Sequence, residues 1–112
     1  MSSSDAGSER LAGLLDEHAK LELELADPAV HADAARARRL GRRYAQLAPV
    51  IETARALDAA RDDLAAAQEL SAEDSSFRAE AEALEERIAE LSARLNEQLL
   101  PCLLYTSDAA DE

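Results

Sequence analysis

The chain has 112 residues, with 24 acids against 12 bases, a net charge of -12, 3% aromatic residues and no tryptophan. That length holds one small domain at most and suits a piece of a longer protein. A core drawn from Leu, Ala, Ile and Val is too small to wrap an enzyme pocket. One cysteine excludes an internal disulfide framework, and no apolar run reaches the length of a membrane span or a secretory signal, so a soluble cytoplasmic protein is expected.

Residues 1–7 are rich in serine and carry no pattern, which predicts a disordered N-terminal tail. From about Ser8 the residues Leu11, Leu14, Leu15, His18, Leu21 and Leu25 recur at helical spacing and form one amphipathic stripe. Asp27-Pro28 ends this helix, because proline disfavours the α region for the residue before it. A second run opens near Asp33, a fitting N-cap, and carries Leu40, Tyr44, Leu47, Ile51 and Ala54, continued by Val50, Leu57 and Leu64. Pro49 lies inside it and is expected to kink or divide the helix; Gly41 weakens it by roughly 1 kcal/mol relative to Ala. Ser71-Ala72-Glu73-Asp74-Ser75-Ser76 reads as a turn rich in capping residues. The third run, Phe77, Ala81, Leu84, Ile88, Leu91, Leu95 and Leu99, has the most regular stripe, with Glu90 and Arg94 spaced as an i,i+4 pair and Pro101 as its expected end. Such stripes bury themselves against one another in an all-α fold, an antiparallel helical hairpin or small three-helix bundle with coiled-coil-like packing.

After Pro101 the string Cys102-Leu103-Leu104-Tyr105-Thr106-Ser107-Asp108-Ala109-Ala110-Asp111-Glu112 continues none of these stripes. It matches one reading frame of a transposase adapter used to prepare DNA for sequencing. Residues 102–112 are therefore expected to be a non-native tail that truncates the gene. Residues 1–101 alone hold 21 acids and 12 bases, a net of -9.

No catalytic chemistry is legible, so the chain is expected not to be an enzyme. Gly7, Gly13 and Gly41 are isolated and build no phosphate loop; His18 and His31 stand apart, and no cysteine pair offers a metal site. His18 lies on the first apolar stripe, where a packed or half-buried imidazole is expected rather than a ligand, and His31 falls in a polar turn where it is expected to be solvated. Ser, His and Asp all occur, but nothing sets them as nucleophile and base. No cofactor, metal, small-molecule substrate or membrane partner is expected.

One segment reverses the charge of its surroundings. Arg36, Arg38, Arg39, Arg42 and Arg43 face a single acid, Asp33, within Asp33–Arg43. At 100° per residue, Arg36 and Arg43 border the apolar stripe, where they can lay their stems on the core edge and pair with acids such as Glu22 or Glu24. Arg38 and Arg42 point nearly opposite the stripe and Arg39 to one side. Those three are the candidate contacts to phosphate or an acidic partner, against the simpler reading of a solvated basic face. With no aromatic interleaving, nucleic acid would be met at its phosphates without sequence readout.

The run Glu17-His18-Ala19 through Asp27-Pro28-Ala29-Val30, then Arg38-Arg39-Leu40-Gly41-Arg42-Arg43-Tyr44-Ala45-Gln46-Leu47-Ala48-Pro49-Val50-Ile51, resembles the N-terminal domain of the release factor 1 family of bacterial class I peptide chain release factors. Ala72-Glu73-Asp74 before Phe77 and the closing Leu99-Leu100-Pro101 are similar to it as well, so that residues 8–101 read as that helical domain. The resemblance implies a domain that docks on the ribosome during stop-codon-dependent termination. In the full-length parent its partners would be the stalk-base protein and rRNA, with Arg38, Arg39 and Arg42 as candidate contacts. The family's Pro-x-Thr codon-reading element and its Gly-Gly-Gln loop do not occur in this chain. Two alternatives keep the same residues: a free-standing RNA-binding helical arm, of the kind some synthetases use to hold tRNA, and a structural coiled-coil interaction module.

Overall fold

Leucine and alanine at three- and four-residue steps, with few β-branched neighbours, make helix the way to collect these apolar residues on one face. The computed structural model describes the backbone of residues 3–111 and the side chains of residues 9–102. Four helices follow in order, α1 (Ser3–Leu25), α2 (Pro28–His31), α3 (Ala34–Glu73) and α4 (Phe77–Asp111), with no strand among the described residues. The all-α expectation holds.

In α1 the residues Leu14, His18 and Leu21 are buried and Leu11 and Leu25 half-buried, as their spacing predicts. Leu15, expected on the same stripe, is 39% exposed. The helix already begins at Ser3, within the segment expected to be a tail. Once the stripe has nucleated a helix, each residue added upstream gains a backbone bond for one residue fixed. The break at Asp27-Pro28 stands: the Asp27 carboxylate accepts from the Ala29 N–H at 2.9 Å and caps the single turn of α2. Asp33 caps α3 in the same way, its Oδ1 accepting from the Arg36 N–H at 3.1 Å.

Pro101 departs from expectation, and of the two outcomes expected at Pro49, a kink or a division, the second does not occur. Pro49 lies inside α3, which runs unbroken from Ala34 to Glu73, so it does not divide the helix. Pro101 lies inside α4 rather than at its end. Each ring removes one backbone donor, at positions where Ala45 and Glu97 would have been the acceptors. A single lost bond is tolerable where flanking apolar residues are buried, as Leu47, Val50 and Ile51 are around Pro49 and Leu95 and Cys102 are around Pro101. Cys102, expected to continue none of the stripes, is buried and keeps helical register with Leu91 and Leu95, so it extends the third stripe by one position. The side chains of residues 103–112 lie outside the described residues.

The chain divides into two compact units, residues 1–51 and 52–112. In the first, α1 and the opening part of α3 run antiparallel: Arg43 meets Glu17 and Arg36 meets Glu24, one index falling as the other rises. Leu14, Leu21, Val30, Leu47, Val50 and Ile51 are buried there, each contributing roughly 1.5–3 kcal/mol of apolar burial. In the second, the later part of α3 buries Ala54, Leu57, Ala60 and Ala67, and α4 buries Ala81, Leu91, Leu95 and Cys102. The turn between these helices is shorter than the sequence suggests, only Asp74-Ser75-Ser76. Asp74 Oδ1 accepts from the Ser76 N–H at 3.0 Å, and the Asp74 and Ser75 carbonyls accept from Phe77 and Arg78 to start α4. The Glu90–Arg94 pair does not form, and no ion pair joins side chains of residues 52–102 among those described.

Candidate functional site

From Ala34 to Ile51 the sequence holds five arginines and no acid. The Asp33 cap fixes where α3 starts, and with it the direction in which each guanidinium leaves the helix. Two arginines turn toward α1. Arg36 Nη2 donates to Glu24 Oε2 at 3.2 Å in a pair nearly half exposed on both sides. Arg43 donates through Nε to Glu17 Oε2 at 2.6 Å and through Nη2 to Glu17 Oε1 at 3.0 Å, a fork-to-fork pair. Its Nη1 also donates to Gln46 Oε1 at 2.8 Å, and its side chain is only 16% exposed.

The border positions of Arg36 and Arg43 agree with the helical wheel, and Glu24 is one of the acids expected to meet them. Glu22 is not an arginine partner: its Oε2 accepts from the Tyr44 hydroxyl at 3.0 Å. Arg43 takes Glu17 instead, about one and a half turns earlier on α1. Tyr44 also stacks its ring on His18, centroids 4.6 Å apart and planes 16° from parallel. Both residues are stripe positions, but their pairing depends on the relative register of two helices, which neither stripe encodes. His31, expected to be solvated, is exposed but places Nε2 2.6 Å from the Leu25 carbonyl.

Arg38, Arg39 and Arg42 are exposed, and none of their side chains makes a hydrogen bond or ion pair among the described residues. Arg38 and Arg42 are four apart and Arg39 and Arg42 three apart, so their Cβ atoms are neighbours at roughly 5–6 Å. Three like charges without an intervening acid repel one another, and an anion laid across them relieves that repulsion. The planar guanidinium fork suits phosphate oxygens in particular. Gly41 sits beside the cluster with nothing within 4 Å of where a Cβ would be, which leaves the helix surface low and open there. The three sequence candidates thus share one exposed patch, and Arg36 and Arg43 are separated from it by their pairing with α1.

Among the described residues no group of three or more His, Cys, Asp or Glu could hold a metal ion, and no helix is long and apolar enough to cross a membrane. Hydrogen bonds from the Ser76 backbone and side chain hold the Asp74 carboxyl below the usual carboxylate range. That carboxylate serves the turn between α3 and α4.

Comparison with known proteins places the chain. The PCRF domain family matches residues 14–111. Over 88 residues the chain is 59% identical to proteins named peptide chain release factor 1 from Mycobacterium tuberculosis and Mycobacterium bovis, and 57% identical to that of Mycobacterium sp. strain KMS. The aligned part is 79% of this chain and 25% of each relative, so the chain spans about a quarter of the length of the curated relatives it matches. No solved structure matches it.

Proposed function

The chain belongs to the PCRF-domain family, and on that premise we propose that it is the N-terminal ribosome-docking domain of a peptide chain release factor, acting in stop-codon-dependent translation termination in the cytoplasm. It performs no chemistry of its own; it positions a longer factor. Its partners are the stalk-base protein and rRNA, and Arg38, Arg39 and Arg42 supply the contacts to rRNA phosphates. The observation that carries this reading is the exposed arginine patch on a chain of net charge -12, with neighbouring Arg36 and Arg43 already engaged by acids of α1. An acidic protein has weak general attraction for RNA, so a local patch of exposed guanidinium groups is where attraction is concentrated.

Ribosome binding by the chain across a salt titration tests this. The wild type should bind with an affinity that falls steeply with salt. Replacing Arg38, Arg39 and Arg42 by Glu should weaken binding and reduce the salt slope by roughly one per lost phosphate contact, with an unchanged melting temperature. Equal binding by wild type and triple variant would return the patch to a solvated basic face. In a peptide-release assay on programmed ribosomes the chain alone should be inactive, and codon-dependent release by it would sink the non-catalytic role.

In this reading residues 8–101 form the docking domain and residues 102–112 are foreign to it, although Cys102 keeps the α4 register. Sequencing the locus from an independent library should show different codons after Pro101. Finding the same eleven codons there would overturn that boundary.

A further inference from the structure

The first unit has a second exposed face, on α1, that neither its core nor the arginine patch uses. Ala12, Leu15, Ala19 and Leu23 of α1, and Ala26 directly after it, whose N–H still donates to the Glu22 carbonyl at 3.1 Å, are all exposed, with Leu23 75% open to solvent. Single exposed leucines are ordinary, but these five residues lie in one line. At 100° per residue they fall within an arc of about 80°, centred roughly 130° from the buried face of Leu14, His18 and Leu21. Their steps of three, four, four and three average about 3.5 residues, the period of a coiled-coil seam. The line extends over about 21 Å of helix, and its alternation of alanine and leucine leaves a gap beside each projecting side chain.

Charge decides what covers it. Glu22 flanks the line on one side, and Glu9 and Asp16 on the other; Lys20, the nearest base, is tied to Asp16 at 3.7 Å. A second copy of this chain would set those acids against their own kind on a molecule of net charge -12. We infer that the outward face of α1 is a docking surface for an amphipathic helix of a protein partner, with leucine or alanine along its seam and lysine or arginine at its edges. The partner's apolar residues cover Leu15 and Leu23, and its cations meet Glu9, Asp16 and Glu22, which sets the register. This rests on α1 alone and goes beyond the docking role proposed above, so loss of the arginine contacts would leave it standing.

The test titrates the isotope-labelled chain with a synthetic amphipathic peptide of roughly three heptads, leucine and alanine at the seam and lysine at the flanks, followed by nuclear magnetic resonance. Amide shifts should concentrate between Ala12 and Ala26. A scrambled peptide of equal charge and a glutamate-flanked version should each bind at least tenfold more weakly, roughly 1.4 kcal/mol. Leu15→Gln with Leu23→Gln should reduce affinity by a similar factor and leave the melting temperature unchanged; if the pair unfolds, Leu23→Gln alone serves, since that side chain is open to solvent. Equal binding of the scrambled peptide, shifts confined to residues 52–102, unaltered affinity in the folded variants, or dimerisation of the chain through this face in sedimentation would each overturn the proposal.

Discussion

The two units carry very different charge and are held by different interactions. Residues 1–51 hold eight acids and seven bases, a net of -1, whereas residues 52–112 hold sixteen acids and five bases, a net of -11. In the first, directional contacts cross the hairpin between α1 and α3: Glu17 with Arg43, Glu24 with Arg36, Glu22 with Tyr44, His18 with Tyr44. In the second, no ion pair forms among the described side chains, and burial falls on Ala54, Leu57, Ala60, Ala67, Ala81, Leu91 and Leu95. Apolar stripes set which faces meet but leave the sliding of one helix on another loosely defined. Directional pairs such as the Arg43–Glu17 fork define it. The near-neutral unit therefore has its register pinned by charges, with the surplus arginines left outward, and the acidic unit depends on shape.

Leucine truncations in both units should show the largest effect. Leu47 is fully buried in the first and Leu91 nearly so in the second. Each change to alanine should cost about 2–5 kcal/mol in chemical denaturation. A loss below about 1 kcal/mol at Leu91 would mean that the second unit does not rely on apolar packing as described.

Removing the pins sharpens the contrast. Arg43→Ala should cost about 1–2 kcal/mol because it strips a forked, partly buried pair, while Arg36→Ala, with both partners nearly half exposed, should cost under about 0.5 kcal/mol. Denaturation in low and high salt checks this, the Arg36 effect vanishing first. Equal costs would remove the distinction between pin and surface pair.

Gly41→Ala should raise stability by up to about 1 kcal/mol, since the position is helical, has no positive φ and has open space where the Cβ would go. A thermal melt reads it. If ribosome binding weakened alongside this gain, the open surface next to Arg38 and Arg42 would be part of the contact.

The smallest effect is in the turn of the second unit. Asp74 has its acidity raised by hydrogen bonds from Ser76, first the backbone and then the side chain. A carboxyl with a folded pKa below its unfolded value contributes stability that is present at neutral pH and lost as the pH falls through the folded value. Asp74→Ala should therefore flatten the acid limb of a pH series of melts, with the variant and wild type converging at the most acid points. A constant offset at every pH would assign Asp74 a purely steric role.

Much of the first unit's architecture is readable in the chain. The break at Asp27-Pro28, the Asp33 cap, and the division of five arginines into two facing the hairpin and three facing out all follow from local rules: proline geometry, capping and a rotation of 100° per residue. The candidate patch is accordingly legible in the order of residues alone. The ends of α1 and α4 are less readable. Residues 3–7 and Cys102 lie in helix although neither composition nor proline signals it, because helix extension is cooperative and a buried neighbourhood can offset one missing bond.

The element types, the apolar faces and the location of the charge reversal are all readable along the chain, since each depends on residues within a few turns of one another. Tertiary structure decided which acid each arginine meets, that Tyr44 stacks on His18 and bonds Glu22, and that Leu15 and Leu23 are left on an open face of α1. Those outcomes depend on how one helix is set along and around another. That displacement is shared between segments distant in the chain, 26 residues apart for Glu17 and Arg43, and no local pattern contains it.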